Sequence, residues 1–138
     1  MKSKADVVTG WLRKAWSDTV AMDASLNAGA LDAACFHAQQ SAEKYLKAFL
    51  VHSDVQFPLT HNLSKLIEIC AEVDPSFREI LPIAEPLNPY AVEMRYDGDF
   101  WPEEETARDA RKAALAIRDF VRARMAADYP EQKELWQE

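Results

Sequence analysis

The chain has 138 residues and a formal net charge of −7. That length suits one domain, 1–138, able to bury about two-thirds of its unfolded surface without staples. The acidic balance excludes a general attraction to nucleic acid or anionic membranes, so any polyanion site has to be a local basic patch.

Glycine stands only at Gly10, Gly29 and Gly98, and no proline precedes Pro58, so the first third can run as long helices. Val8, Leu12, Ala15, Thr19, Met22 and Leu26 step by three or four and define a first helix, with Trp11 and Trp16 broadening its face. Asn27-Ala28-Gly29-Ala30 is a helix-ending turn. A second helix runs from Leu31 or Asp32 to about His52, and two long helices joined so briefly must be antiparallel. Ser53 to Leu59 forms a connection. Thr60 is the expected N-cap of a short third helix, in which Leu63, Leu66, Ile67, Cys70 and Val73 repeat before Asp74-Pro75 stops it.

Between Ser76 and Tyr96, each of Pro82, Pro86 and Pro89 removes a backbone donor. The expectation there is a broken beginning, then a regular helix from Pro86 or Pro89 carrying Tyr90, Ala91, Met94 and Arg95. It ends at Asp97-Gly98, with Gly98 in the left-handed conformation. The last helix starts with Pro102 at its first position and Glu103, Glu104 and Glu105 at the positive end of its dipole, and reaches about Asp128. Its apolar stripe is Ala107, Ala110, Ala114, Ile117, Val121 and Met125. Residues from about 129 to 138 form a charged tail whose Trp136 either docks on a neighbour or stays in solvent. The fold class is therefore all-α.

No stretch of 18 apolar residues suggests a membrane span, and the basic but interrupted N-terminus is not that of a secretory signal, so a cytoplasmic location is expected. Cys35 and Cys70 lie on apolar helix faces without metal-ligand spacing and read as buried free thiols. Phosphate loops, zinc-helix motifs and nucleophile elbows are absent, and neither a cofactor nor a metal is expected. His37, His52 and His61 read as structural or solvent-facing. Arg111, Arg118 and Arg122 share a strip on the last helix that suits phosphate, although a solvated face paired with Asp109 and Asp119 is the preferred reading.

The second helix is the most informative element. Gln39 lies inside the apolar arc of Leu31, Cys35, Ala38, Ala42, Leu46 and Phe49, and Glu43 sits at its edge. Buried polar groups need partners, so this pair either fixes register against a facing helix or subunit, or lines a functional cleft. Arg95 to Trp101, RYDGDFW, is a second candidate: an arginine beside acids and aromatics can stack on a base, bind phosphate or pair with Asp97, Asp99 or Glu43.

The stretch from Phe36 to Leu50, FHAQQSAEKYLKAFL, followed by Thr60-His61-Asn62-Leu63 and later Met94-Arg95-Tyr96, resembles the HEPN domain (higher eukaryotes and prokaryotes nucleotide-binding) over most of the chain. The resemblance implies an up-and-down four-helix bundle with an additional short helix, commonly a homodimer with a cleft between subunits. It also implies one of two activities. Many members are metal-independent ribonucleases, often toxins, that use an arginine and a histidine shortly after it. Others are non-catalytic partners of a separately encoded minimal nucleotidyltransferase, or bind nucleotides. Arg95 matches the arginine, but Phe100, Trp101 and Pro102 stand where the histidine belongs, and none exchanges a proton.

The expectation is thus a non-catalytic HEPN-like nucleotide-binding or protein-interaction module, a homodimer and partner of a nucleotidyltransferase in a toxin-antitoxin-type pair. Arg95 contacts a phosphate or an acidic partner residue, Tyr96 stacks, Glu43 and Gln39 orient Arg95, and Lys47 adds charge. The alternatives are a metal-independent ribonuclease with an atypical base and a structural helical adaptor without ligand.

Overall fold

The computed structural model describes residues 1–92 and 97–136. Helix α1 (Lys4–Asn27) opens with a reciprocal cap: the Ser3 hydroxyl accepts from the Asp6 N–H at 3.1 Å, and the Asp6 carboxylate accepts from the Ser3 N–H at 3.2 Å. The predicted stripe from Val8 to Leu26 is buried. Trp11 packs against it, whereas Trp16 faces outward and is 36 % exposed, so only Trp11 broadens the core face. Gly29 ends α1 at φ +81°, a conformation that side chains with a Cβ rarely adopt.

Helix α2 (Leu31–His52) runs antiparallel to α1: the Lys4 ammonium donates to the His52 carbonyl near one end, and Asp18 meets His37 toward the other. From Ala34 to Leu50 every α2 residue except His37 and Lys44 is buried, which makes α2 the centre of the bundle. Its exit turns on Asp54, which takes the left-handed conformation at φ 59°.

Helix α3 (Leu63–Val73) buries Leu63, Leu66, Ile67, Cys70 and Ala71, while Val73 is exposed. Its cap is Asn62, whose side chain accepts from the Lys65 N–H at 3.2 Å. Thr60 is not the cap; its hydroxyl accepts from the Asn62 N–H, just ahead of the helix. The proline-rich stretch is broken as expected, into 3₁₀ turns at Pro75–Ile80 and Glu85–Leu87 around a single α-turn at Leu81–Ala84. Helix resumes at residues 90–92, and the rest of the predicted segment, with Met94, Arg95 and Tyr96, lies outside the described residues. Gly98 is not left-handed; the Asp97 carboxylate accepts from the Asp99 N–H at 2.9 Å and makes the turn by itself.

Helix α4 (Glu104–Met125) has Glu103 as its N-cap, so Pro102 sits just before the cap rather than inside the helix. Its predicted stripe is buried, and its alanines let it pack closely against α2 and α1. In the chain beyond, Glu131, Lys133 and Glu134 are exposed, and Trp136 takes the docked alternative. The chain continues as 3₁₀ turns at Ala126–Asp128 and Pro130–Trp136, burying Leu135 and leaving Trp136 2 % exposed. The Trp136 ring stacks on Tyr45 with centroids 5.3 Å apart, and the Tyr45 hydroxyl donates to the Leu135 carbonyl at 2.7 Å. The result is an all-α up-and-down bundle, without a strand among the described residues.

Candidate functional site: a buried polar seam on the second helix

Positions 39, 43 and 47 lie four residues apart and form one row along α2. Glu43 is only 2 % exposed, and Gln39 and Lys47 are buried beside it. The Gln39 amide donates to Glu43 Oε1 at 3.1 Å and to the His61 carbonyl at 2.8 Å, while Gln40 Nε2 donates to Gln39 Oε1 at 2.6 Å. Lys47 Nζ donates to Glu43 Oε2 at 3.0 Å. Its ammonium also lies 5.4 Å from the Trp11 ring centre and 5.9 Å from that of Phe57, so two π faces help replace the water it has lost.

The connection after α2 closes this row. His61 Nδ1 lies 2.9 Å from Glu43 Oε1, and an ionised carboxylate can only accept, so the proton sits on Nδ1. Nε2 takes no part in that bond, on a side chain that is 66 % exposed and makes no other hydrogen bond among the described residues. A buried acid holding an imidazole by one nitrogen and presenting the other to solvent is the arrangement by which proteins orient a proton acceptor or a phosphate-binding imidazolium.

Of the predicted site residues, the structure brings Gln39, Glu43 and Lys47 together. Lys47 directs its charge to Glu43, and Gln39 spans Glu43 and the incoming loop. Arg95 and Tyr96 lie outside the described residues. His61 was not among the predicted site residues; the signal for it was its place in the Thr60-His61-Asn62-Leu63 motif.

The other histidines stand elsewhere. His37 Nδ1 is 2.8 Å from Asp18 Oδ1, whose second oxygen is held by Lys44; His52 Nδ1 is 2.9 Å from the Tyr129 hydroxyl. No group of three His, Cys, Asp or Glu side chains among the described residues is placed to hold a metal ion. Cys35 and Cys70 are free and buried, and burial pushes their thiols up to about 11 and about 12. The arginine strip divides. Arg111 reaches Asp23 of α1 at 2.7 Å, Arg122 pairs with Asp119 at 3.5 Å, and Arg118 is 6 % exposed rather than solvated, bonding Asp119 at 2.9 Å.

An all-α bundle whose central helix carries a dry amide–acid–lysine row belongs to the class of small helical domains built around a polar seam. The chain is a member of the HEPN domain family, whose match spans residues 8–134. The crystal structure of ST0689, an archaeal HEPN homologue, is similar at a TM-score of 0.69 and 25% identity, over 89% of this chain and 98% of that one. TT1696 from Thermus thermophilus shares the fold at a TM-score of 0.69 and 24% identity, over 84% of this chain and 96% of that one. A search of the curated proteins gives no match. Among the described residues no helix is long and apolar enough to cross a membrane.

Proposed function

We propose that this HEPN chain is a nucleotide-binding or protein-interaction module that does not cut RNA. It works as a cytoplasmic homodimer beside a minimal nucleotidyltransferase, in a toxin-antitoxin-type pair. The observation that carries the reading is the seam itself, a carboxylate removed from water and held by Gln39, Lys47 and His61, with an exposed imidazole at its mouth. Such a seam fixes a surface for a ligand at the cost of burying charge. In this reading Arg95 binds a phosphate, Tyr96 offers stacking area, and Glu43 with Gln39 orients Arg95. Titrating fluorescein-labelled ATP and a labelled oligoribonucleotide against wild type and Arg95→Ala tests it. Weakened binding with a near-normal melting temperature supports the module; a destabilised Arg95→Ala whose binding is intact supports the structural adaptor instead.

The free Nε2 of His61 favours a second reading, metal-independent RNA cleavage. There His61 Nε2 takes the 2′-hydroxyl proton, the 2′ oxygen attacks phosphorus, and the 5′ oxygen leaves with a proton from water. Cleavage by wild type in EDTA, abolished in His61→Ala, would establish it.

A further inference from the structure

The net charge of −7 is not spread along the chain. Residues 79–109 hold nine acids and two bases, a balance of −7, and the fourteen acids and fourteen bases elsewhere cancel. Every described acid of this segment is exposed, and among them only Glu104 is ion-paired, to Arg108 at 3.6 Å. The helix dipole accounts for Glu103, Glu104 and Glu105 at the start of α4. It does not account for Glu79, Glu85, Asp97, Asp99 and Asp109, whose like charge works against a compact fold.

The same segment frames a groove of about 270 Å³ between the proline-rich stretch and α4. Ile83, Pro86 and Tyr90 stand on one wall, and Thr106, Asp109 and Ala113 on the other. Asp109 brings a charge into an otherwise uncharged lining, and it makes no ion pair or hydrogen bond among the described residues. Apolar side chains are exposed along this face: Ile83 by 36 %, Val92 by 55 % and Trp101 by 73 %. The Phe100 ring lies 5.6 Å from that of Tyr90, which ties the loop bearing Trp101 to the groove wall. Exposed apolar surface rimmed by charge marks a contact with another molecule. The groove is smaller than the roughly 300–1,000 Å³ of pockets that enclose small molecules, so it suits one anchoring side chain rather than a whole ligand.

We infer that this face docks a partner protein through a segment rich in lysine and arginine that inserts one large apolar side chain into the groove. The inference rests on the protein-interaction reading above and gives it a surface and a partner chemistry. Charge complementarity selects the occupant. The acidic field draws a cationic segment and repels nucleic acid and anionic membranes. A second copy offering the same face about a two-fold axis would set −7 against −7. Asp109 pairs with a cation beside the anchor, and the Trp101 ring offers its face to an arginine or a lysine. A neutral apolar segment would fill the groove and leave the acids around it without a purpose.

Fluorescence anisotropy of a labelled helical peptide, with leucine on one face and lysine on the other, tests the inference against the full chain. Two counterparts accompany it, one with glutamate for lysine and one with serine for leucine. The variants are Asp109→Lys, which reverses the charge of the groove, and Ala113→Phe, which fills it, each checked by melting temperature. The expected result is binding of the leucine-lysine peptide that weakens with salt and falls by about tenfold or more in both variants. The serine peptide should bind about tenfold or more weakly, and the glutamate peptide not at all. Labelled ATP, titrated against the same proteins, should be unaffected by either variant. The inference is overturned if the leucine-lysine peptide does not bind, if the serine peptide binds as well, or if either folded variant binds like wild type. It is also overturned if Ala113→Phe lowers the mass by light scattering, which would give the groove to a second copy. Peptide failure beside intact ATP binding removes the docking face alone; ATP failure beside specific peptide binding removes the nucleotide reading and leaves the docking face standing.

Discussion

Glu43 shows how much one side chain commits the rest. Its carboxylate is dry, and Gln39, Lys47 and His61 together replace its hydration. Glu43→Ala strands the Lys47 ammonium in the interior and should cost about 3–5 kcal/mol in urea denaturation, whereas Glu43→Gln, which keeps an acceptor, should cost less. Thiol chemistry is the second check at this scale. With Cys35 raised to about 11 and Cys70 to about 12, neither is a thiolate at pH 8, so a thiol reagent should stay unreacted until denaturant is added and then titrate both cysteines. Asp74 carries a pH dependence. Hydrogen bonds from the Ser76 hydroxyl and N–H, with Arg124, hold its carboxyl below the usual range. A folded value below the unfolded one means stabilisation that is present above the unfolded value and lost as pH falls through the folded one. Asp74→Ala should therefore lower the melting temperature at pH 7 and lose that effect in strong acid. Gln39 and Glu43 were legible in the sequence because polar residues interrupting a helical arc stand out at a fixed local spacing. His61 was not, because its bond to Glu43 is made by a loop, and periodicity says nothing about where a loop returns.

The long helices follow directly from hydrophobic spacing, which is local and repeated many times over. Their ends do not. Asp54 rather than Gly98 takes the left-handed conformation, and Asn62 and Glu103 rather than Thr60 and Pro102 flank their helices. Neighbouring residues with similar capping chemistry differ by less free energy than tertiary contacts supply. The C-terminal segment was illegible for another reason: half of EQKELWQE is charged, and contacts with Tyr45, far away in sequence, through the stacked Trp136 ring and the Leu135 carbonyl, make it part of the core. Trp136→Ala should cost about 3–5 kcal/mol by leaving a cavity over Tyr45. Tyr45→Phe, which removes only the hydrogen bond to Leu135, should cost about 0.5–1.5 kcal/mol. Equal losses for the two substitutions, compared by denaturant midpoints, would show that the ring stack contributes nothing of its own.

At the scale of the molecule, a chain of net charge −7 presents an acidic exterior. Among the described residues several cations are taken up in pairs, such as Lys47–Glu43, Arg111–Asp23 and Arg124–Asp74. Binding of RNA by such a surface depends on focused positions, so affinity should fall only modestly with added salt, in contrast to the steep loss shown by proteins that neutralise many phosphates. The proposed homodimer predicts a mass by light scattering of about twice the 15.7 kDa of the chain. The measurement that meets the central claim most directly is incubation of the purified protein with a labelled mixed-sequence RNA in EDTA, alongside Arg95→Ala and His61→Ala. Bound but uncut RNA, released by Arg95→Ala, is what the non-catalytic seam predicts; cleavage by wild type that disappears in His61→Ala would contradict it.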